Sequence, residues 1–153
     1  MGCIDESTKD GANSRSRVIM NVLIIGSGYP ALQKTIDWLN ATTWIISRLS
    51  LVEERSSKMA YVLEKIGEQP HKFLLENISI TPKGMQNRKS EFRLGRAMSI
   101  NSYIKHHFPD GGIDYLFFCV DNSKAEQILD EIDPAVHKIR DYYFLQPKGE
   151  DNG

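Results

Sequence analysis

A short apolar run followed at once by a glycine-rich turn constrains this chain more than any other feature. The run is Val22 to Ile25, and the turn is Gly26-Ser27-Gly28-Tyr29-Pro30-Ala31. An unbroken apolar run suits a strand that is covered on both faces, as in a parallel sheet. The turn has the pattern G-x-G-x-x-A, whose glycines permit a tight turn and the close approach of a pyrophosphate. The stretch therefore predicts a strand, a phosphate-binding turn and a helix.

The residues after the turn have the pattern of a helix that packs on a sheet. Pro30 suits the first helical turn, where its missing N–H is not needed. Leu32, Ile36 and Leu39 recur at helical spacing and form one apolar face. Backbone N–H groups at a helix N-terminus bind anions. The turn residues are therefore predicted to bind the pyrophosphate of a dinucleotide, namely Gly26, Ser27, Gly28, Tyr29 and Pro30.

The end of the second strand predicts which dinucleotide is bound. We expect this strand over Thr43 to Ser47, with Ser47 and Arg48 at its end and the next carboxylate only at Glu53. An acidic side chain about 20 residues past the glycines binds the ribose hydroxyls of NAD, whereas an arginine accommodates the 2′-phosphate of NADP. Arg48 beside Ser47 favours NADP, with Lys58 as a second phosphate contact. The alternative is that Arg48 and Lys58 are merely solvated.

The remaining pattern alternates strands and helices. Strands are expected near residues 22, 43, 73, 115 and 142, and helices over Glu53 to Ile66, over Leu94 to Phe108 and after Asp121. This alternation predicts an α/β fold, a Rossmann-like three-layer arrangement with a mostly parallel sheet of about five strands. Asp121 and Asn122 would begin the last helix and line the crevice near the nicotinamide half of the cofactor.

The domain prediction places the fold in residues 20–149. Residues 1–17 are polar and without periodicity, so residues 1–19 are expected to be a disordered tail, and residues 150–153 a polar C-terminal tail. Residues Thr81 to Ser90 are polar and rich in turn formers, so they are expected to be a loop.

Composition limits the partners and the compartment. The net charge is −1, which gives no field to attract nucleic acid or an anionic membrane. The longest apolar runs are far short of the roughly 20 residues that a membrane span needs. The two cysteines, Cys3 and Cys119, form neither a disulfide framework nor a metal-binding motif, which favours a reducing, cytoplasmic location.

Several segments in chain order resemble the N-terminal cofactor domain of the opine dehydrogenases that make opine-type metallophores. The segments are VLIIGSGYPAL, IISR, SSKMAYVLEKI, YLFFCVDNSKAEQIL and YYFLQPKG. The resemblance spans roughly residues 20 to 149 and implies an NADPH-binding domain in which Arg48 contacts the 2′-phosphate. It also implies reductive condensation of an amine with a keto acid. In that family a second, mostly helical domain supplies the catalytic His and Asp, so these groups are expected from a separate domain, a partner or a second copy.

Two other functions remain open at the level of sequence. The chain also suits a non-catalytic module that binds a nucleotide for regulation or offers its sheet to a partner. The other alternative is an adenylating domain of the ubiquitin-activator type, because FCVDNSKA resembles the segment with the strand-end Asp of that class. No catalytic residue and no metal ligand is predicted.

Overall fold

The strand that precedes the glycine turn lies at the centre of a five-stranded sheet. This computed structural model describes residues 19–67, 72–80, 96–109 and 112–145. The strands are β1 (Ile19–Ile25), β2 (Ile45–Val52), β3 (Leu74–Glu76), β4 (Ile78–Ile80), β5 (Arg96–Met98), β6 (Ile113–Phe118) and β7 (Ile139–Phe144). The helices are α1 (Ala31–Ala41), α2 (Met59–Ile66), α3 (Ile100–His107) and α4 (Asn122–Glu131), and a 3₁₀ turn covers Ser56–Lys58.

The sheet has the order β3-β2-β1-β6-β7, and each of its pairings is parallel. Strand order runs outward from β1 in one direction to β3 and in the other direction to β7. The order therefore reverses between β1 and β6, and in a doubly wound fold the ligand crevice lies outside the carboxyl ends of the strands at this point. The predicted α/β, Rossmann-like fold with a parallel sheet of five strands is confirmed.

Two apolar layers cover the sheet because successive side chains of a strand point to opposite faces. Val22 and Ile24 belong to one cluster with Leu32 of α1. Leu23 and Ile25 belong to the other cluster with Ile128 of α4. These four β1 side chains are at most 3% exposed, and each buried aliphatic side chain contributes roughly 2 kcal/mol to folding. The carboxyl end of β1 is therefore a rigid base for the turn that follows it.

Strand β2 differs most from the expectation. The prediction that it ends at Ser47 is wrong, because the strand continues to Val52. Its last four residues are buried, whereas Ser47 and Arg48 are exposed in its first half. The polar pair marks an exposed part of the strand, not its end.

Other boundaries also shift for identifiable reasons. The second helix starts at Met59 rather than Glu53, because β2 continues to Val52 and a 3₁₀ turn precedes α2. The third helix begins at Ile100 rather than Leu94. The Ser99 side chain caps it by accepting a hydrogen bond of 3.2 Å from the Ser102 N–H. Residues 78–80 and 96–98 pair as a separate parallel two-stranded sheet.

Several expectations concern residues that the structure does not describe. The loop over Thr81 to Ser90, residues 1–18 of the predicted tail, and residues 150–153 lie outside the described ranges. Ile19, which was expected in the tail, is the first residue of β1. Within the described ranges, no helix is both long and apolar enough to cross a membrane.

Cys119 follows β6 and is buried beneath the glycine turn. Its thiol lies 3.6 Å from the Thr35 hydroxyl of α1. Burial raises the pKa of the Cys119 thiol from 9.0 to about 12, the nearby Glu53 carboxylate adds to the rise, and the Thr35 contact opposes it.

We expect the wild-type protein to lose stability more steeply above pH 9 than the Cys119→Ala variant. The thiol ionises near pH 9 in the unfolded chain but stays protonated to about pH 12 in the folded one. Unfolding therefore releases a proton in this window, and stability falls by up to about 1.4 kcal/mol per pH unit. Urea unfolding between pH 8 and 10.5 measures the difference. Parallel pH profiles for the two proteins would contradict the buried thiol.

Candidate functional site

Three segments meet at the carboxyl ends of the central strands. They are residues 26–30 after β1, residues 53–58 after β2 and residues 119–122 after β6. The Gly26 N–H donates to the Val52 carbonyl at 2.8 Å, and the Gly28 N–H donates to the Cys119 carbonyl at 2.8 Å. The glycine turn is thereby tied to the neighbouring segment on each side, at the predicted ligand crevice.

Gly26 is required by its backbone conformation and by its surroundings. Its φ is +90°, a region that other L-residues rarely adopt. A Cβ atom at this position would lie 2.3 Å from Val120 Cγ1 and 2.7 Å from the Cys119 carbonyl oxygen. The first glycine of the motif therefore lets the turn pack directly against the segment after β6.

Helix α1 begins at the turn without a capping side chain. Pro30 stands at the cap position, and no side chain accepts a hydrogen bond from the first turn. The Leu32 N–H donates to the Gly28 carbonyl at 2.8 Å, whereas the Ala31 N–H has no hydrogen-bond partner among the described residues. Helices α3 and α4, in contrast, are capped by Ser99 and Asp121. The positive end of the α1 dipole is thus available to an anion.

Ser27 and Glu53 form a buried contact beneath the turn. Ser27 is fully buried and Glu53 is 1% exposed. The Ser27 hydroxyl donates to Glu53 Oε1. Glu53 Oε2 accepts from the Arg55 backbone N–H at 2.8 Å and from Arg55 Nε at 3.0 Å. The Ser27 side chain therefore supports the turn from below, and only the backbone of this predicted residue is left to contact a ligand.

The expectation that Ser47 and Arg48 lie beside the turn is not met. Arg48 pairs with Asn21 in the first half of β1, four residues before the end of β2 at Val52. At 3.3 Å per residue this separation is about 13 Å along the strand. Ser47 has no partner in β1, because the register passes from Met20–Ile46 to Asn21–Arg48. The physical reason for assigning these two residues to a 2′-phosphate is therefore lost.

A different basic cluster lies at the true end of β2. It comprises Arg55, Ser56, Ser57 and Lys58, with the serines and lysine on the 3₁₀ turn. The Arg55 side chain is 52% exposed. Two cations with two hydroxyls between them are suited to a phosphate through charge-assisted hydrogen bonds. The sequence contains this basic and hydroxyl pattern, but the predicted end of β2 at Ser47 was too early. The phosphate was therefore assigned to Arg48 instead of Arg55.

Lys58 is the one member of this cluster that the sequence singled out. Its Nζ lies 4.4 Å from the ring centroid of Tyr61. Its backbone N–H donates to the Arg55 carbonyl at 2.9 Å. Lys58 thus lies within one turn of Arg55, with its ammonium group over an aromatic face.

The predicted residues after β6 are also at this edge. Asp121 is exposed and caps α4, because its Oδ1 accepts from the Lys124 N–H at 3.1 Å. Asn122 Oδ1 is buried without a hydrogen-bond partner among the described residues. A buried carbonyl oxygen of this kind costs about 1 to 3 kcal/mol unless a ligand or water bonds to it. Tyr29, on the opposite segment, is 63% exposed.

The Glu54 side chain points away from Glu53 towards α4. Its Oε1 accepts from Lys124 Nζ at 2.9 Å and from the Ser79 hydroxyl at 2.9 Å. The two consecutive glutamates therefore have separate partners: Glu53 contacts the glycine turn, and Glu54 contacts β4 and α4.

A cavity of about 330 Å³ lies elsewhere, at the C-terminal end of α1. It is lined by Trp38, Ala41, Thr42, Thr43, Trp44 and Tyr115. None of the predicted cofactor residues lines it, and its walls include the residues that lead into β2 rather than those that follow the strands. We therefore place the candidate site at the carboxyl ends of the strands, where doubly wound folds bind ligands.

The described ranges contain no group of three or more His, Cys, Asp or Glu side chains arranged to bind a metal ion. In comparisons with known proteins, no protein-family model, curated protein or solved structure matches this chain.

We expect Gly26→Ala to destabilise the protein by about 3 kcal/mol, through an unfavourable φ and the contact with Val120. Urea unfolding followed by circular dichroism measures the loss. Adding Val120→Ala should restore only part of the stability, because the added Cβ would still lie 2.7 Å from the Cys119 carbonyl oxygen. A Gly26→Ala protein as stable as wild type would contradict this geometry.

Proposed function

We propose that this chain binds NADP(H), as the cofactor-binding part of an oxidoreductase similar to the opine dehydrogenases. The observation that carries the proposal is the Arg55–Lys58 cluster, exposed except for half-buried Lys58, beside a glycine turn at the switch point of a parallel sheet. Three parts of the cofactor then have matching groups on the protein, namely the pyrophosphate, the 2′-phosphate and the nicotinamide.

The pyrophosphate fits the turn between β1 and α1. The uncapped N-terminus of α1 offers backbone N–H groups and the positive end of the helix dipole. Gly28 allows close approach of an anion to the backbone. This part of the site recognises a diphosphate without regard to the nucleotide that carries it.

The adenosine 2′-phosphate fits the cluster at the end of β2. A dianionic phosphate there would meet the Arg55 guanidinium and the Ser56 and Ser57 hydroxyls, with Lys58 one turn away. The carboxylate that would bind the ribose hydroxyls of NAD is present as Glu53, but it is buried and bonded to Ser27 and Arg55. The chemistry at this position thus favours NADP over NAD.

The nicotinamide half would extend across the switch point towards Asp121 and Asn122. The unsatisfied Asn122 Oδ1 matches a ligand donor such as the carboxamide N–H₂. When bound, NADPH would supply a hydride, and the resemblance suggests an imine of a keto acid and an amine as its acceptor. The residues described here bind and orient the cofactor; the proton donor and the amine site are expected from a further domain or partner.

Binding is tested by calorimetric titration with NADPH and NADH. We expect NADPH to bind at least tenfold more tightly, because charge-assisted hydrogen bonds to the 2′-phosphate contribute roughly 1.5 to 3 kcal/mol. Equal affinities for NADPH and NADH would contradict the choice of NADP, and no binding of either would refute a dinucleotide site.

Arg55→Ala and Arg48→Ala form a matched pair of substitutions. Both remove an exposed arginine from the same segment, Arg48 within β2 and Arg55 just after it. We expect Arg55→Ala to weaken NADPH binding roughly ten- to a hundredfold and to leave NADH binding unchanged. Arg48→Ala should leave both affinities unchanged. The reverse outcome would restore Arg48 as the phosphate ligand and refute the role of Arg55.

A further inference from the structure

We infer that Glu53 is a positioning residue that makes the site selective for a phosphorylated ribose. Its carboxylate orients the Arg55 guanidinium. The hydrogen bonds that do so also keep the carboxylate from binding the hydroxyls of an unmodified ribose. This inference rests on the proposed binding of NADP(H) and identifies how that site distinguishes NADP from NAD.

The Glu53 side chain is fixed at both carboxylate oxygens. Oε1 accepts from Ser27, and Oε2 accepts two hydrogen bonds from Arg55. The Glu53 backbone is fixed as well, because its N–H donates to the Glu76 carbonyl at 3.0 Å and its carbonyl accepts from Asn77 Nδ2 at 2.7 Å. The carboxylate therefore has little freedom to turn towards a ligand.

These bonds hold the guanidinium by one edge only. Arg55 donates to Glu53 through Nε, and its Nη1 and Nη2 atoms make no hydrogen bond to any described residue. The side chain is 52% exposed. The two Nη groups form the fork that pairs with phosphate oxygens. One guanidinium thus bonds to a buried carboxylate and keeps its phosphate-binding edge in solvent.

The same arrangement removes the usual means of recognising NAD. A carboxylate binds a ribose diol by accepting hydrogen bonds from its hydroxyls. Glu53 is 1% exposed, and each of its oxygens already accepts from a protein donor. A diol would have to break these bonds, whereas a 2′-phosphate meets the exposed edge of Arg55.

Positioning and plain electrostatics predict opposite effects for Glu53→Gln. Removing a negative charge near a bound phosphate would strengthen NADPH binding if charge alone mattered. If Glu53 positions Arg55, the substitution weakens NADPH binding, because a neutral amide oxygen accepts the Arg55 Nε–H without the charge assistance that holds the guanidinium in place. The direction of the change therefore separates the two roles.

The experiment measures NADPH and NADH affinities by calorimetry for wild type, Glu53→Gln, Glu54→Gln and Arg55→Lys, with urea midpoints as a check on folding. Glu54→Gln is the matched control, since it removes the same charge one residue along without touching Arg55. Arg55→Lys keeps the positive charge at a half-exposed position. A single ammonium nitrogen, however, cannot hydrogen-bond to Glu53 and also bind a phosphate through two parallel hydrogen bonds.

We expect Glu53→Gln and Arg55→Lys each to lower the NADPH-to-NADH preference about tenfold, the effect of losing an oriented charge-assisted contact. Glu54→Gln should keep the preference within about twofold, as expected for a charge change without loss of orientation. Unchanged or tighter NADPH binding by Glu53→Gln would overturn the inference. If Glu53→Gln does not fold, the Arg55→Lys variant is the test. An Arg55→Lys protein that keeps the full preference for NADPH over NADH would then overturn the inference.

The proposed function can fail separately. Wild-type protein that binds neither cofactor, or both equally, would refute NADP binding before any variant is compared. Suppose that wild type prefers NADPH, that Arg55→Ala loses this preference, and that Glu53→Gln and Arg55→Lys keep it. This result would support the proposed function and refute the positioning role of Glu53.

Discussion

The buried carboxylate of Glu53 is the interaction on which the candidate site depends. An ionised carboxylate costs several kcal/mol to bury unless hydrogen bonds and a counter-charge compensate it. Here a hydroxyl from the glycine turn and two donors from Arg55 provide that compensation. One desolvated group therefore links the segment after β1 to the segment after β2, and it fixes both at the edge where the strands end.

The central parts of the fold were predictable because their signals are local. The run Val22 to Ile25, the glycine turn and the helical spacing after it lie within one stretch, and all were found as expected. The start of α4 was equally clear, since Asp121 both follows a buried strand and caps the helix. The small β4–β5 sheet was missed, because short strands that pair across a long stretch of sequence have no local signature.

The site was predicted in part. The turn residues and the residues after β6 lie together at the carboxyl ends of the strands, as the order of elements implied. The predicted end of β2 was wrong because exposed Ser47 and Arg48 resembled a strand end, although the apolar run resumes at Leu49. The inward direction of Glu53 depends on Ser27, 26 residues earlier in the chain, and no pattern near Glu53 indicates it.

The unpaired Ser47 also explains why the alternation of β2 is hard to recognise. Ile46 and Leu49 both pack with the α1 layer although they are three residues apart. In an uninterrupted strand, side chains three apart would point to opposite faces. The extra residue at Ser47 resets the alternation, so that Leu49 and Leu51 face one layer and Val52 the other. The extra residue at position 47 thus determines to which face of the sheet every later side chain of β2 points. This includes Val52, the last residue of the strand before Glu53.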